Sequence, residues 1–543
     1  MSRTRADLVV CGDVIVKARS DGPERVEAIG IAGGRVVAAG HRAEVFAAAS
    51  AGARIVDAGD AAVIPGLHDF HVHLVGLARS RSGVLLDDAE DAHEVAARLT
   101  AHLAGLGGDA WLTGRGWSEA QLAGGLEPLR TAVGDRAAVL SSHDGHSAWA
   151  SPAALRVAGV TATTPDPEGG RIERDGEGQP IGILRETAMD LVNRIVPRLG
   201  GAALEPQVDA LLHELAAFGI TGASEAGDYT DENGTGPDAA LGDSFSTLSG
   251  LGDTLDGRLR LTIGIPVDAL AAAAEREMRT GDPLSARRTL RMGWAKEYAD
   301  GALGSGTAAL FEPATCGDAD VGLLRVGDDE LDTLFAASRR SRIALAIHAI
   351  GDRAAAVVLD AVERAPARPS GMPADRIEHA QLMRPADRDR LARLGVTASV
   401  QPIHAAADRD LVERCWGGRQ TDAYAWGALI SAGALLAAGS DAPVESIDPW
   451  LGLFAAVHRR LPDDERGDWR PDESLRMAEA LAAYTIAPAR ALGVADEGHL
   501  RPGARADLAI LDAGVDVLMA CDERLAAVRS VLTLIDGRVV HER

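Results

Sequence analysis

The chain has 543 residues, 46% of them hydrophobic but only 3% aromatic, and a formal charge of −25. That length exceeds a usual single domain, so one large barrel with a smaller companion, or two to three domains, is expected, packed mainly by Ala, Val, Leu and Ile. The acidic balance, unrelieved by any basic tract, excludes a nucleic-acid partner, and no apolar run approaches the roughly 20 residues that span a bilayer.

Met1 to Arg5 is basic, but the apolar segment after it is broken by Asp13 and lacks a small-residue cleavage site, which reads as a cytoplasmic protein. From Ala6 to Asp60, short apolar runs alternate with Gly turns around Gly33-Gly34, the pattern of antiparallel strands in a small sheet. The far end repeats it: Ala506 to Leu511 and Val528 to Val540 read as strands, with a hairpin signal at Asp536-Gly537. Neither terminal piece covers both faces of a sheet alone, so residues 1–62 and 493–543 are expected to pair into one β-sandwich.

Ala62-Val63-Ile64-Pro65 reads as a buried parallel strand running into His68, His71 and His73. In a strand, residues two apart point the same way, so His71 and His73 place two imidazoles on one side, half of a divalent-metal site. Further runs follow at Gly219 to Glu225, Arg260 to Pro266, Met292 to Tyr298, Ile343 to Ala349, Arg376 to Ala380, Val396 to Gln401 and Leu435 to Asp441. Ala- and Leu-rich helical stretches separate them. Eight such units predict an α/β fold, a (β/α)8 TIM barrel over residues 63–492.

The roughly 145 residues between the first two strands are too many for a loop. With Trp111, Trp117, Trp149 and two segments of strand character, they read as an inserted subdomain, about residues 83–215, over the barrel mouth. Gly227 to Asp253, rich in Gly, Asp and Ser, reads as a long mobile loop. Cys11, Cys316, Cys415 and Cys521 lie far apart with no Cys-x-x-Cys spacing, and are expected to be buried thiols rather than a disulfide framework or zinc site.

The ionisable residues fall at the carboxyl ends of these strands: His71 and His73, Lys296, His348, His379 and Asp441. Together they form one ring of nitrogen and oxygen donors suited to one or two divalent, zinc-like ions. Lysine is scarce: of 55 basic residues only Lys17 and Lys296 are lysines. Arg cannot shed its proton, whereas a buried Lys can become a neutral, reactive amine.

An ordered series of stretches then resembles the amidohydrolase superfamily, in its YtcJ-like branch that includes N-substituted formamide deformylases. These are Pro65 to His73, Trp111 to Trp117, Asp144 to Trp149, Gly182 to Glu186, Asp300 to Ser305 and His348 to Ala354. They continue with Arg376 to Gln381, Ser399 to Pro402, Gly439 to Glu445 and Pro502 to Leu508. The resemblance implies that His71 and His73 hold a more buried ion, His348 and His379 a more exposed one, Lys296 bridges them as a carbamate, and Asp441 completes the site. The chain departs from the pattern at Gly306, where the family's Asp-Gly-x-Leu-Gly-Ser-Arg run has Arg, and in the additional His68. Glu297, beside Lys296, should face the opposite side.

The mechanism expected is attack by a water whose pKa a divalent ion lowers from 15.7 to about 7. Asp441 would accept its proton and deliver it to the leaving nitrogen. His146, Trp117 and His404 are the candidate donors to the tetrahedral oxyanion, with Glu186 and Gln401 as further substrate contacts. Bland alternatives stand beside these roles. His146 and Asp144 form a turn, Glu186 pairs with Arg185, Asp352 caps a helix, Glu225 supports the site from behind, and Trp117, Trp294 and Trp416 are packing.

The reading is therefore a metal-dependent hydrolase of a non-peptide carbon-nitrogen bond in a small molecule: an N-acyl, N-formyl or cyclic amide. Its rivals are a carbamate or ester hydrolase with the same site, and an inactive barrel serving as an assembly subunit. The acidic charge and Ala-rich helices permit an oligomer, a homodimer first.

Overall fold

The computed structural model describes residues 4–543 except 20–21, 108–109, 123, 144, 168, 198, 228–237 and 317–319. Eight short parallel strands form one sheet, in chain order: Leu67–Val72, Ile220–Glu225, Arg260–Pro266, Leu290–Tyr298, Leu345–Ala349, Arg376–His379, Thr397–Val400 and Leu435–Ala438. Most of their residues are buried, because such a sheet is covered outside by helices and filled inside by its own side chains. The last strand meets the first at the carboxyl rim, where Asp441 N donates to His71 O (2.8 Å) and His73 N to Ala442 O (2.9 Å). Gly439 permits this approach: a Cβ there would lie 2.3 Å from His71 N.

The first barrel strand begins at Leu67, five residues later than the sequence suggests. Val63, Ile64 and Pro65 belong to Ala49–Pro65, which leaves the barrel and pairs antiparallel with Leu508–Leu511. The apolar run from Ala62 onward thus serves two sheets, and Gly66 marks the crossing, packed so closely on Thr221 that a Cβ would lie 2.1 Å from its hydroxyl. Both chain ends contribute to one seven-stranded sheet. Its order is Arg538–Glu542, Ser530–Ile535, Leu508–Leu511, Ala49–Pro65, Ala6–Lys17, Glu24–Ala32 and Arg35–Gly40. Val10, Val14, Ile29, Val63, Leu508 and Leu534 share one core within it.

This sheet is fastened to the barrel floor by buried charge. Arg260, the first residue of the third barrel strand, donates to Asp507 Oδ1 (2.9 Å) and Asp536 Oδ1 (2.6 Å). Arg291 of the fourth donates to Glu497 (2.9 Å). Asp507 stands just before, and Asp536 in a turn between, the C-terminal strands, where alternation of apolar residues gives no hint of them.

Between the first two barrel strands the chain builds a second sheet, more extensive than the two segments of strand character suggest. Its order is Gly170–Arg174, Pro180–Glu186, Ser147–Ala150, Ala138–Ser142, Leu112–Trp117 and Val84–Leu85. Glu205–Ala217, by contrast, packs into the barrel core through Val208, Leu211, Leu212 and Leu215. The expected loop at Gly227 to Asp253 is only partly that. Its residues 228–237 lie outside the described residues, but Asp243–Gly250 is a helix that buries Phe245 and Leu248 in the core. Among the described residues no helix is long and apolar enough to cross a membrane.

The expectation of four free thiols is overturned. Cys316 and Cys415 are disulfide-bonded, while Cys11 and Cys521 are buried and free. Their separation of 99 residues hides the pair in the sequence, because a loop after the fourth barrel strand and the helix Arg409–Cys415 after the seventh must first be folded together. Closing a loop of that length stabilises by roughly 2–4 kcal/mol. A Cys316→Ser/Cys415→Ser variant should therefore melt at a lower temperature than the oxidised chain, measured calorimetrically. Identical melting would show that the link adds no stability.

Candidate metal centre

The rim between the first, sixth and eighth barrel strands gathers the donors. One ligand atom each from His71, His379 and Asp441 lies within 4.8 Å of the others, all three residues being buried. His73, at the start of the following helix Leu74–Ser80, brings Nε2 to 2.8 Å from Asp441 Oδ1. His404, on the short helix Pro402–Ala407 after the seventh strand, brings Nε2 to 3.0 Å from Asp441 Oδ2. One carboxylate thus collects several imidazoles. The ring of His348 lies 4.6 Å from that of His379, with its Nε2 3.0 Å from Gly301 O. Lys296 is 3% exposed, with Nζ 4.8 Å from the Tyr298 ring centroid.

Local backbone makes this convergence geometrically costly. His379 (φ 71°), Ala380 (φ 45°) and Asp441 (φ 61°) occupy the left-handed region without being glycine, at about 1–3 kcal/mol each. They are held there by Ala380 N donating to Glu378 O, Leu382 N to Ile350 O, and Asp441 N to His71 O. Such departures concentrate where function requires a particular side-chain direction.

Electrostatics match the donor set to a cation. Burial, then the charge of Lys296, holds His348 well below the usual imidazole range. Burial, then His348, does the same to His379. Both rings are therefore neutral and offer lone pairs. Burial opposes the charge of Asp441, but the neighbouring His71 and the hydrogen bonds from His404 and His73 outweigh it and keep its carboxyl well below the carboxylate range. His379 Nδ1 is buried without a hydrogen-bond partner, and His71 Nε2, 3.2 Å from Asp441 Oδ1, is not aligned to bond to it. Buried polar atoms left so are rare unless a ligand satisfies them. Two neutral imidazoles, a carboxylate and orphaned nitrogens fit a divalent ion such as zinc.

A cavity of about 840 Å³ opens above these residues, lined by His73, Lys296, His348, His379, His404 and Asp441. The insert forms its far wall. There His146 Nδ1 lies 3.1 Å from Glu186 Oε2, while Thr307 of the barrel donates to Glu186 Oε1 (2.8 Å). Burial pushes the Glu186 carboxyl up, but His146 and Thr307 outweigh it and bring its pKa down to about 2. Glu186 therefore bridges the insert to the barrel. Arg185, its expected partner, pairs instead with Glu173 and Glu119. The ring of His146 stands 6.4 Å from that of His348, whereas Asp144 lies outside the described residues.

Of the other expected contacts, Trp117 lines the cavity but is 1% exposed and gives its indole N–H to Leu140 O (2.7 Å), so it has no proton to offer an oxyanion. Gln401 is buried and donates to Ser399 O (3.3 Å), behind the cavity wall. Trp294 and Trp416 belong to buried cores, and Trp294 donates to Ala374 O. His68 bonds Ser224 Oγ (3.0 Å), and burial lowers its pKa to about 3. That makes it a neutral strut between the first two barrel strands. Glu225 accepts from Leu74 N (2.6 Å), anchoring the helix that His73 precedes. Asp352 is the first residue of its helix, Gly351 being the cap, and it accepts from Phe311 N (3.0 Å). Gly306, where the family pattern has Arg, takes φ 70° with open space where a Cβ would stand.

Three residues of the site were not singled out in the sequence. Tyr298 packs on Lys296 and His348, and Glu445 lies 3.4 Å from His404 Nδ1. Glu378, immediately before His379, should alternate to the opposite face. The left-handed φ of His379 breaks that alternation, so both side chains serve one site.

A family model described as an amidohydrolase family matches residues 54–541. The Bacillus subtilis (strain 168) protein YtcJ is 30% identical over 496 residues, covering 89% of this chain and 89% of that protein. N-substituted formamide deformylase of Arthrobacter pascens is 27% identical over 547 residues, 95% of each chain. Among solved structures, an uncharacterized metal-dependent hydrolase from Pyrococcus horikoshii OT3 aligns with a TM-score of 0.77 and 25% identity, covering 95% of this chain and 99% of that one.

Proposed function

The chain belongs to the amidohydrolase family, a metal-dependent hydrolase of carbon-nitrogen bonds other than peptide bonds, and on that premise we propose that it hydrolyses an N-acyl, N-formyl or cyclic amide. The observation that carries this reading is the convergence of His71, His379 and Asp441 within 4.8 Å, the last two lining the cavity. His71, His73, His348, His379 and Asp441 would hold one or two zinc ions, with Lys296 bridging as its carbamate. When bound, the metal supplies a water acidic enough to ionise near neutral pH and a Lewis acid for the scissile carbonyl.

The chain's own residues do the rest. Asp441 is held as a carboxylate and accepts the proton of the attacking water, then releases it to the departing nitrogen. His404 lies between Asp441 and Glu445; burial disfavours its charge, but hydrogen bonds to those two acids outweigh this and raise its pKa to about 10. With both ring N–H groups facing those acids, it favours the negative oxygen of the tetrahedral stage by its positive charge rather than by a hydrogen bond. Across the cavity His146, steadied by Glu186, is the hydrogen-bond donor to that oxygen. The alignable length and name of the Arthrobacter protein favour a formyl or small acyl group on nitrogen.

The test is purified protein assayed for bound metal and then against formamides, acyl amines, cyclic imides and carbamates. Turnover of an amide should vanish on dialysis against a chelator and return with zinc. Undiminished turnover by metal-free protein overturns the proposal.

A further inference from the structure

Below the donors, the barrel interior contains a charged pair that the reaction described above does not use. Glu378 is wholly buried, with Oε2 2.5 Å from His71 Nδ1 and Oε1 2.5 Å from Arg376 Nε. Arg376, 1% exposed, lies with its guanidinium 4.2 Å from the Trp294 ring centroid and 4.6 Å from that of Phe70, and donates to Phe70 O (2.9 Å). These residues come from the first, fourth and sixth barrel strands. The first strand is a sheet neighbour of neither of the others, so the contacts cross the interior of the barrel.

The arrangement is an expensive one for packing alone. A pair of apolar residues of the same volume would fill the space without desolvating two charges, and buried pairs often add no net stability. What the pair does achieve is directional. A carboxylate only accepts hydrogen bonds, so the His71 nitrogen facing Glu378 must carry the proton. The other ring nitrogen, Nε2, is then left with its lone pair, on the side where Asp441 stands 3.2 Å away. A metal-binding imidazole gains basicity and a fixed ring plane from such a carboxylate behind it. Arg376 offsets the charge of Glu378, and its cage of two aromatic rings and a carbonyl prevents the guanidinium from turning toward the donors.

We propose that Glu378 is a positioning residue for the metal, setting the tautomer and ring plane of His71, with Arg376 as its caged counter-charge. The inference rests on the reading of His71 as a metal ligand. In Glu378→Gln the amide accepts from a protonated Nδ1 or donates to a bare one, so the tautomer is no longer dictated, and Arg376 is left uncompensated. Glu378→Gln/Arg376→Met removes that second defect. Zinc affinity by competition with a chromogenic chelator, and thermal midpoints of metal-free and zinc-loaded protein, separate the effects.

Both variants should bind zinc about 10- to 100-fold more weakly than the parent. The metal-free midpoint should fall in the single variant and recover in the double. Parental zinc affinity in the folded double variant overturns the proposal, whatever the single variant does. A parent that takes up no zinc is a different result, overturning the metal reading and this inference with it.

Discussion

The Asp441→Asn variant is expected to fold, to keep most of its zinc, and to lose turnover by about 10²- to 10⁴-fold. The fold should survive because the backbone at residue 441 is held by its own hydrogen bond to His71 O (2.8 Å), which the substitution leaves in place. Zinc should remain because His71, His73, His348, His379 and Lys296 are unchanged. Turnover should collapse because asparagine cannot take a proton from water, and its amide satisfies only part of what two carboxylate oxygens accept from His73 and His404. The measurement is kcat at saturating amide together with metal content of the same sample. Full turnover rules out Asp441 as the proton acceptor. Loss of zinc in step with activity would instead make it a ligand before anything else.

Replacing Arg260 by Ala should cost about 3–5 kcal/mol of stability, the usual penalty for stranding buried charge. The Arg260 side chain is 4% exposed, and it reaches Asp507 and Asp536 together. Burial already pushes the Asp507 carboxyl up despite Arg260, so removing the cation leaves an acid without adequate compensation. Adding Asp507→Asn to Arg260→Ala should restore part of the loss, since the uncompensated charge is then gone. Denaturant midpoints of the parent, single and double variants measure this. Equal midpoints in the parent and Arg260→Ala would mean that the barrel floor tolerates an unpaired acid.

Sequence reading was strongest where a single period governs the chain. Barrel strands are short apolar runs between turns, so the second to eighth strands and the position of Lys296, His348 and His379 at their carboxyl ends could be read directly. It was weakest where one run serves two purposes or where local backbone leaves its period. Ala62 to Pro65 looks like the first barrel strand because it is apolar and precedes the histidines, yet its partners are Leu508 to Ile510. Glu378 was hidden because alternation assumes extended backbone on both sides, and His379 is left-handed. Trp117 does line the cavity, but that its N–H is given to Leu140 O emerges only once Leu112–Trp117 is paired with Ala138–Ser142. Cys316 and Cys415 could be paired only after a loop and the helix Arg409–Cys415 were brought together, information that spacing does not hold.

The closing of the barrel at His71, Asp441 and Ala442 has a bearing on how the protein is made. His73 and the Asp441 it touches are 368 positions apart, and Ala49–Pro65, leading into the first barrel strand, pairs with Leu508–Leu511 near the far end. A nascent chain emerging from the ribosome therefore holds two histidines of the centre long before their carboxylate exists. The complete donor set can hold a metal only after Asp441 has been synthesised and the eighth barrel strand has met the first.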